Sequence, residues 1–190
     1  MRHTASLHIL VLVLFYFPAP GLPANTPGGA PAPAAIDACA LLQRAEIVRV
    51  IGAPVGEPTR AEDGPASNGA YSSTCFWEIE VAKPTAPRAD APLGGKSFVI
   101  LNAQQWPRGS NLAHTFLDSF REAARTGDIP GKTAARQVGD EALWWGDGLA
   151  VRRHDVSFGL SVFLPGSKTS HTGVLEEQLA PYILRRLDAR

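Results

Sequence analysis

The segment VSFGLSVFL, residues 156–164, constrains the fold more than any other part of the chain. Its large apolar residues recur at every second position from Val156 to Leu164 without a break. Successive side chains of a β-strand point to opposite faces, so this pattern predicts a strand with one fully buried face. Such a strand needs pairing strands at its edges and an apolar layer over its buried face. The chain is therefore expected to fold around a β-sheet.

Other segments predict the elements around this strand. Alternation predicts strands over 72–82 and 96–103, and a hairpin in which EALWW and LAVRR flank the turn GDG. Apolar spacings of three and four predict helices over 38–51, between a cap at Ser110 or Asn111 and a stop at Gly127, and over about 174–187. The predicted fold is α+β, with an antiparallel sheet and helices packed on one face, in the order helix–strands–helix–strands–helix.

The N-terminal residues 1–24 predict a secretory signal. A basic start precedes an apolar run from Leu7 to Phe17, and the Pro-rich stretch FPAPGLPA follows. A membrane span needs about 20 apolar residues, so cleavage near Ala24 is expected, with retention as a short anchor as the alternative. Residues 25–35 predict a Pro/Gly/Ala-rich linker and 36–190 one domain. The mature form is then periplasmic or secreted and has no membrane span.

The charge balance bears on the class of partner. The chain holds 18 basic and 18 acidic residues, so its formal net charge is zero. Nucleic-acid binding requires a basic face, and nucleic acid is therefore not an expected partner. The adjacent pairs Arg152–Arg153 and Arg185–Arg186 are interpreted as solvated surface. The expected partner is an unknown protein or another component of the envelope.

Cys39 and Cys75 are the two cysteines of the chain. An exported protein meets oxidising conditions, so an even pair favours a disulfide. Cys75 alternates with Trp77 onto an apolar strand face, and Cys39 falls in the first turn of the first predicted helix. A lipid anchor is not expected, because Pro-rich sequence separates Cys39 from the apolar run. A catalytic Cys39, activated at a helix N-terminus, is the alternative.

The sequence contains no firm signature of catalysis or metal binding. His114, His154 and His171 lack the spacing of a metal site, so neither a metal nor another cofactor is expected. Glu141 and Asp147 of the hairpin lie near two tryptophans, which would suit glycoside hydrolysis. Asp is also common in turns, and no nucleophile motif accompanies the pair. No catalytic residue is therefore assigned.

Tryptophans provide the candidate binding surface. Trp144 and Trp145 are neighbours in a predicted strand and must face opposite sides. Trp145 shares a face with Leu143 and is expected in the core, which places Trp144 outside. Trp106, before Pro107, is the second candidate. An exposed tryptophan is a common contact for a partner, whereas a tryptophan that only covers a sheet edge is the alternative.

Three segments in this order resemble a family of small bacterial exported proteins of unknown function, many of them lipoproteins. The segments are DACALLQRAEIVRVIGAPV, STCFWEI and VGDEALWWGDGLAVRRHDVSFGLSV. The resemblance implies that Cys39 and Cys75 pair, and it implies no activity. Gln43 stands where the family has Ser or Thr, which predicts a weaker helix cap beside Glu46.

These observations predict a non-enzymatic exported domain that is stapled by one disulfide and acts by binding. The alternative from a different class is an envelope hydrolase that uses the carboxylates of the GDEALWWGDG hairpin, or a cysteine-based enzyme.

Overall fold

The structure is a computed structural model, and it describes residues 35–80, 96–129, 132–165 and 172–190. These residues form a seven-stranded sheet with the order β1-β2-β3-β7-β6-β5-β4, in which every neighbouring pair is antiparallel. The predicted signal segment, the linker up to 34 and His171 lie outside the described residues. The strands are β1 (Thr59–Pro65), β2 (Tyr71–Ile79), β3 (Ser97–Gln105), β4 (Ala134–Arg136), β5 (Glu141–Trp144), β6 (Leu149–Arg153) and β7 (Val156–Phe163).

Two meanders, β1-β2-β3 and β4-β5-β6-β7, meet at the centre of the sheet. Strands β3 and β7 pair along their length, with Leu101 opposite Leu160 and Val99 opposite Val162. The fully alternating segment predicted from the sequence is thus a central strand. The antiparallel α+β class and the order of elements are confirmed.

The helices are α1 (Ala38–Leu41), α2 (Arg44–Ile51), α3 (His114–Thr126) and α4 (Val174–Asp188). The single helix predicted over 38–51 is wrong, because Leu42 is extended and separates α1 from α2. This break lets the consecutive residues Leu41 and Leu42 both enter the core. It also changes which residues of α2 face the core, so Ile47 is buried and Val48 is 37% exposed.

The observed helix caps agree in part with the caps that the sequence predicts. Asp37 caps α1, since its Oδ1 accepts from the Cys39 and Ala40 N–H groups at 2.9 and 3.3 Å. Glu46 Oε2 accepts from the Gln43 N–H at 3.0 Å, so this half of the capping box forms although Gln43 is neither Ser nor Thr. The N-cap of α3 is Ala113 and not the predicted Ser110 or Asn111, and the helix stops at its C-cap Gly127 as expected.

The larger core lies between one face of the sheet and helices α1, α2 and α4. Alternate residues of each central strand point into it, including Cys75 and Trp77 from β2 and Phe158 and Leu160 from β7. Leu179 and Ile183 of α4 are completely buried against them. This layer holds most of the buried apolar side chains of the described residues.

Helix α3 packs on the opposite face, so the prediction that all helices lie on one face is wrong. Leu117 of α3 is buried with Leu143 of β5 and Ala150 of β6. Gly159 of β7 leaves room for Phe116, whose ring would lie 3.3 Å from a Cβ at that position. The second faces of β5, β6 and β7 combine apolar and small residues, and such a surface can accept a helix.

The disulfide between Cys39 and Cys75 is confirmed. The two Cα atoms are 5.1 Å apart, and the bond joins the first turn of α1 to the buried face of β2. The Ala38 N–H also donates to Ser73 Oγ at 3.0 Å, beside the bond. The cysteines are separated by 36 positions, so the bond restricts a long loop of the unfolded chain.

We expect the double substitution Cys39→Ser with Cys75→Ser to lower the free energy of unfolding by about 3–4 kcal/mol, because the unfolded chain regains its loop entropy. Urea unfolding followed by circular dichroism measures this difference. The control is Ser119→Ala on the exposed face of α3, which should leave the midpoint unchanged. Equal midpoints for the double variant and the wild type would show that the bond is not a staple.

Candidate functional site

A row of three phenylalanines crosses the sheet on the face opposite the disulfide. Phe76, Phe98 and Phe163 come from β2, β3 and β7, and we call them the aromatic row. Neighbouring ring centroids are 5.2 and 5.3 Å apart, with both interplanar angles at 27°. Phe98 and Phe163 are direct cross-strand partners. The rings of Phe76 and Phe163 remain partly exposed, whereas Phe98 between them is buried.

Uncharged polar side chains continue this surface along the strands. Asn102 of β3 donates through Nδ2 to Thr74 Oγ1 at 2.8 Å and to Ser72 Oγ at 3.2 Å. Ile100 lies between Asn102 and the aromatic row and is partly exposed. The aromatic row with Ile100, Asn102, Thr74 and Ser72 is called the open face below.

The charges at the end of the open face neutralise each other. Lys96 and Glu78 form an ion pair, with 3.2 Å between Lys96 Nζ and Glu78 Oε1. Helix α3 contacts β6 and β7, and its aromatic residues Phe116 and Phe120 border the far side. The open face is therefore an apolar and hydroxyl-rich surface without a net charge of its own.

The predicted tryptophan surface is corrected by the structure. Trp144 is only 7% exposed and Trp106 only 3%, so neither presents its ring to solvent. Trp106 donates through Nε1 to Ser157 Oγ at 2.8 Å, which satisfies its buried N–H. Trp144 lies in the larger core, against Gly173 at the start of α4.

Trp145 is the more accessible of the two neighbouring tryptophans. It stacks on Phe120 of α3, with 4.3 Å between the ring centroids. The predicted alternation of the two rings is correct, but the choice of the exposed ring is wrong. Both faces of β5 are covered by helices, so the apolar companion Leu143 could not identify a single core face.

The carboxylates proposed for hydrolysis belong to a network of ion pairs. Glu141 contacts the Arg121 guanidinium, and Arg152 Nε lies 3.5 Å from its Oε2. Asp140 accepts from Arg153 Nη1 at 2.8 Å and from the His154 N–H at 2.7 Å. Burial opposes the ionised form of Asp140, but these two hydrogen bonds lower its pKa below the ordinary value. The network links α3, β5 and β6.

The geometry of Glu141 and Asp147 offers little support for a glycosidase pair. Glu141 begins β5 and Asp147 lies in the turn after it. The whole of β5, about 10 Å long at roughly 3.3 Å per strand residue, lies between the backbones of these two residues. Paired glycosidase carboxylates stand about 5–9.5 Å apart around the scissile bond. Glu141 is also engaged by two guanidinium groups.

The other candidate chemistries are placed as follows. Cys39 is bonded to Cys75, so it has no thiolate to serve as a nucleophile in this state. His114 and His154 lie apart on α3 and on the turn after β6. The described residues contain no cluster of three or more His, Cys, Asp or Glu that could hold a metal ion.

An open depression of about 590 Å³ lies beside α2. Val48, Pro54 and Val55 line it, together with the oppositely charged Arg44 and Glu80. Arg44 is already engaged by Glu57, so the depression presents mainly apolar side chains and backbone. It lies on the side of α2, away from the aromatic row.

Glu176 is a buried acid that sequence reasoning missed. It is 0% exposed in the first turn of α4, and burial raises its pKa to about 7. An acidic residue in a first helical turn is usually a solvent-exposed partner of the helix dipole, so the sequence carries no signal of burial. Only the packing of α4 against β7 identifies it.

We expect Trp144→Ala to lower the free energy of unfolding by about 3–5 kcal/mol, as loss of a large core aromatic does. Trp145→Ala should cost less, because part of that ring already contacts solvent. Paired urea unfolding curves of the two variants provide the comparison. A larger loss for Trp145→Ala would contradict the burial order of the two rings.

Comparison with protein-family models, with curated proteins and with solved structures finds no match to this chain. Within the described residues, no helix is both long and apolar enough to cross a membrane.

Proposed function

We propose that this chain is an exported domain that acts by binding a partner on the open face and has no catalytic activity. The observation that carries the proposal is the aromatic row, in which Phe76 and Phe163 keep partly exposed rings on a sheet face that α3 covers only in part. Aromatic residues gathered at a surface are typical of interaction sites.

The ring geometry favours an apolar polypeptide as the partner. Rings stacked on neighbouring strands turn their faces toward one another and their edges outward. A sugar usually stacks on an exposed ring face, whereas ring edges pack well against aliphatic and aromatic side chains. Among the described residues, Lys96 and Glu78 balance each other's charge at this end, so an uncharged segment fits without leaving either ion desolvated.

The amide and hydroxyl groups beside the row suit the polar groups of such a segment. Asn102 uses Nδ2 for Ser72 and Thr74, and its side-chain carbonyl oxygen is an acceptor for a partner N–H. We infer that the partner is an envelope polypeptide with an apolar, uncharged contact segment. The resemblance to small bacterial exported proteins agrees with this location.

A location outside the cytoplasm is part of the proposal. The Cys39–Cys75 bond supports it, because disulfides persist in oxidising compartments. The signal-like residues 1–24 support it from the sequence alone. The protein is then periplasmic or secreted, and it is not lipidated.

The intact mass of material collected outside the cytoplasm should match a chain that begins near Asn25, because the signal is cleaved after Ala24. Mass spectrometry without reductant measures both the start and the disulfide. The mass of the full chain, or an added diacylglycerol, would contradict cleavage and the absence of lipid.

Site-specific photo-cross-linking tests the binding surface. p-Benzoylphenylalanine replaces Phe76 or Phe163 in the full chain, which preserves an aromatic ring, and the cells are irradiated before the envelope is extracted. We expect a polypeptide adduct at both positions, attached through an apolar, uncharged segment. Val48 on α2 and Leu112 before α3 are the control positions, because both are exposed and lie outside the aromatic row.

Each outcome decides the proposal. Equal adducts at the controls, or none at the aromatic row, would reject the open face as the binding surface. A lipid or glycan adduct would reject the partner class. Thermal unfolding by circular dichroism must first show that the labelled chains melt like the wild type.

A further inference from the structure

The first turn of α4 carries a carboxyl group that is completely enclosed by the fold. Glu176 is 0% exposed and follows the N-cap residue Gly173, which offers no side-chain cap to the helix. Its Oε1 accepts from the Val162 N–H of β7 at 2.8 Å. Its Oε2 is buried and has no hydrogen-bond partner among the described residues. Oε1 thus has a hydrogen-bond donor, whereas Oε2 has none among the described residues.

The position of Val162 in the sheet explains why its N–H can donate to Glu176 Oε1. Strand β6 begins at Leu149, which pairs with Leu160, so β7 extends beyond its neighbour on that side. On the other side, β3 continues to pair with β7 as far as Phe163. The Val162 N–H donates to Glu176, and a buried N–H left without an acceptor would cost free energy. Glu176 therefore closes the open edge of β7.

Because Glu176 Oε2 accepts no hydrogen bond from the described residues, the ionised form of this carboxyl is unfavourable here. A buried carboxylate needs compensating donors or a paired cation, and the described residues give Oε2 neither a hydrogen-bond donor nor a cationic partner. Burial raises the pKa of Glu176 to about 7, against the opposing effect of the Val162 hydrogen bond. The bond from its own backbone N–H also opposes the rise, whereas the charge of Glu177 adds to it.

The elements packed around this turn provide little compensation. Strands β7 and β3 carry no charged side chain between Val156 and Phe163 or between Ser97 and Gln105. Arg136 of β4 is used by Glu177, with 2.6 Å between Arg136 Nε and Glu177 Oε1. The turn after β5 carries Asp147, which has the same sign as Glu176.

Where α4 packs against α1 and α2, the charged groups lie near the C-terminal end of α4, far from Glu176 in the first turn. Glu46 of α2 pairs with Arg186 there, with 2.9 Å between Arg186 Nη1 and Glu46 Oε2. Lys168 and His171 precede α4 in the sequence and lie outside the described residues. The pH experiment must therefore separate Glu176 from these groups and from His154.

We propose that Glu176 is a proton-operated latch, which holds the first turn of α4 on the open edge of β7 while its carboxyl is protonated and releases that turn when the carboxyl ionises. The protonated carboxyl still accepts the Val162 N–H through its carbonyl oxygen. Release would also withdraw Gly173 from the ring of Trp144, which lies so near that a Cβ at Gly173 would come within 2.9 Å of it. Opening then uncovers both the β7 edge and a core tryptophan.

The direction of the pH effect follows from linkage. The closed state holds the proton more tightly than an open or unfolded state, in which the carboxyl has an ordinary pKa near 4.5. The stabilising contribution is complete below about pH 4.5 and is lost as the pH rises to about 7. Opening should increase by up to about tenfold per pH unit in this interval and stay constant above it.

Amide hydrogen exchange of the full mature chain measures this opening. After correction for intrinsic exchange, the protection factor of the Val162 N–H should fall by up to about tenfold per pH unit between about pH 5 and 7. The Leu160 N–H, which lies where β7 has neighbours on both sides, should change much less. Glu176→Gln keeps an acceptor for Val162 and cannot ionise, so protection of Val162 should become independent of pH.

Glu177→Gln is the matched control, because it removes the neighbouring charge and leaves Glu176 in place. This variant should keep the pH dependence. The latch is rejected by constant protection of Val162 in the wild type, or by an unchanged pH dependence in Glu176→Gln, which would point to a histidine. If Glu176→Gln does not fold, a ¹³C-carboxyl NMR titration of the wild type decides, since a Glu176 pKa of about 4–5 would overturn the proposal.

Discussion

The pairing of β3 with β7 is the interaction on which the rest of the structure depends. Each strand ends a meander whose contacts are local, and their pairing joins the two meanders into one sheet. Helices α3 and α4 each follow one of these two strands in the chain and pack back on opposite faces. Without this central pairing, neither helix would have a complete sheet to cover, and the larger core would be divided between two open meanders.

The two faces of the sheet have different roles. The face toward α1, α2 and α4 is sealed by apolar side chains, and the disulfide fixes its first helix to β2. The other face is covered by α3 over β6 and β7 and keeps Phe76, Phe163 and Asn102 partly accessible. Most buried apolar side chains of the described residues therefore lie on one side of the sheet, and the proposed partner contacts the other.

Sequence patterns predicted the features that depend on local periodicity. The alternation in β7, the hairpin of β5 and β6 and the cysteine pair all follow from spacing and redox context, and the structure contains them. The break at Leu42, the second helix-covered face and the burial of Trp144 depend on how distant segments pack, which periodicity does not encode. The aromatic row belongs to this class, because its rings come from three strands that are far apart in the chain.

The contact between Gly173 and Trp144 limits how this protein can diverge. Gly173 has φ of 80°, a conformation that other residues rarely adopt, and an added Cβ would lie 2.9 Å from the ring of Trp144. Two independent constraints thus require glycine at this position. Distant homologues that preserve the fold should retain this glycine together with a large side chain at the position of Trp144. This glycine and the large side chain beside it are a marker for recognising relatives whose overall sequence similarity has been lost.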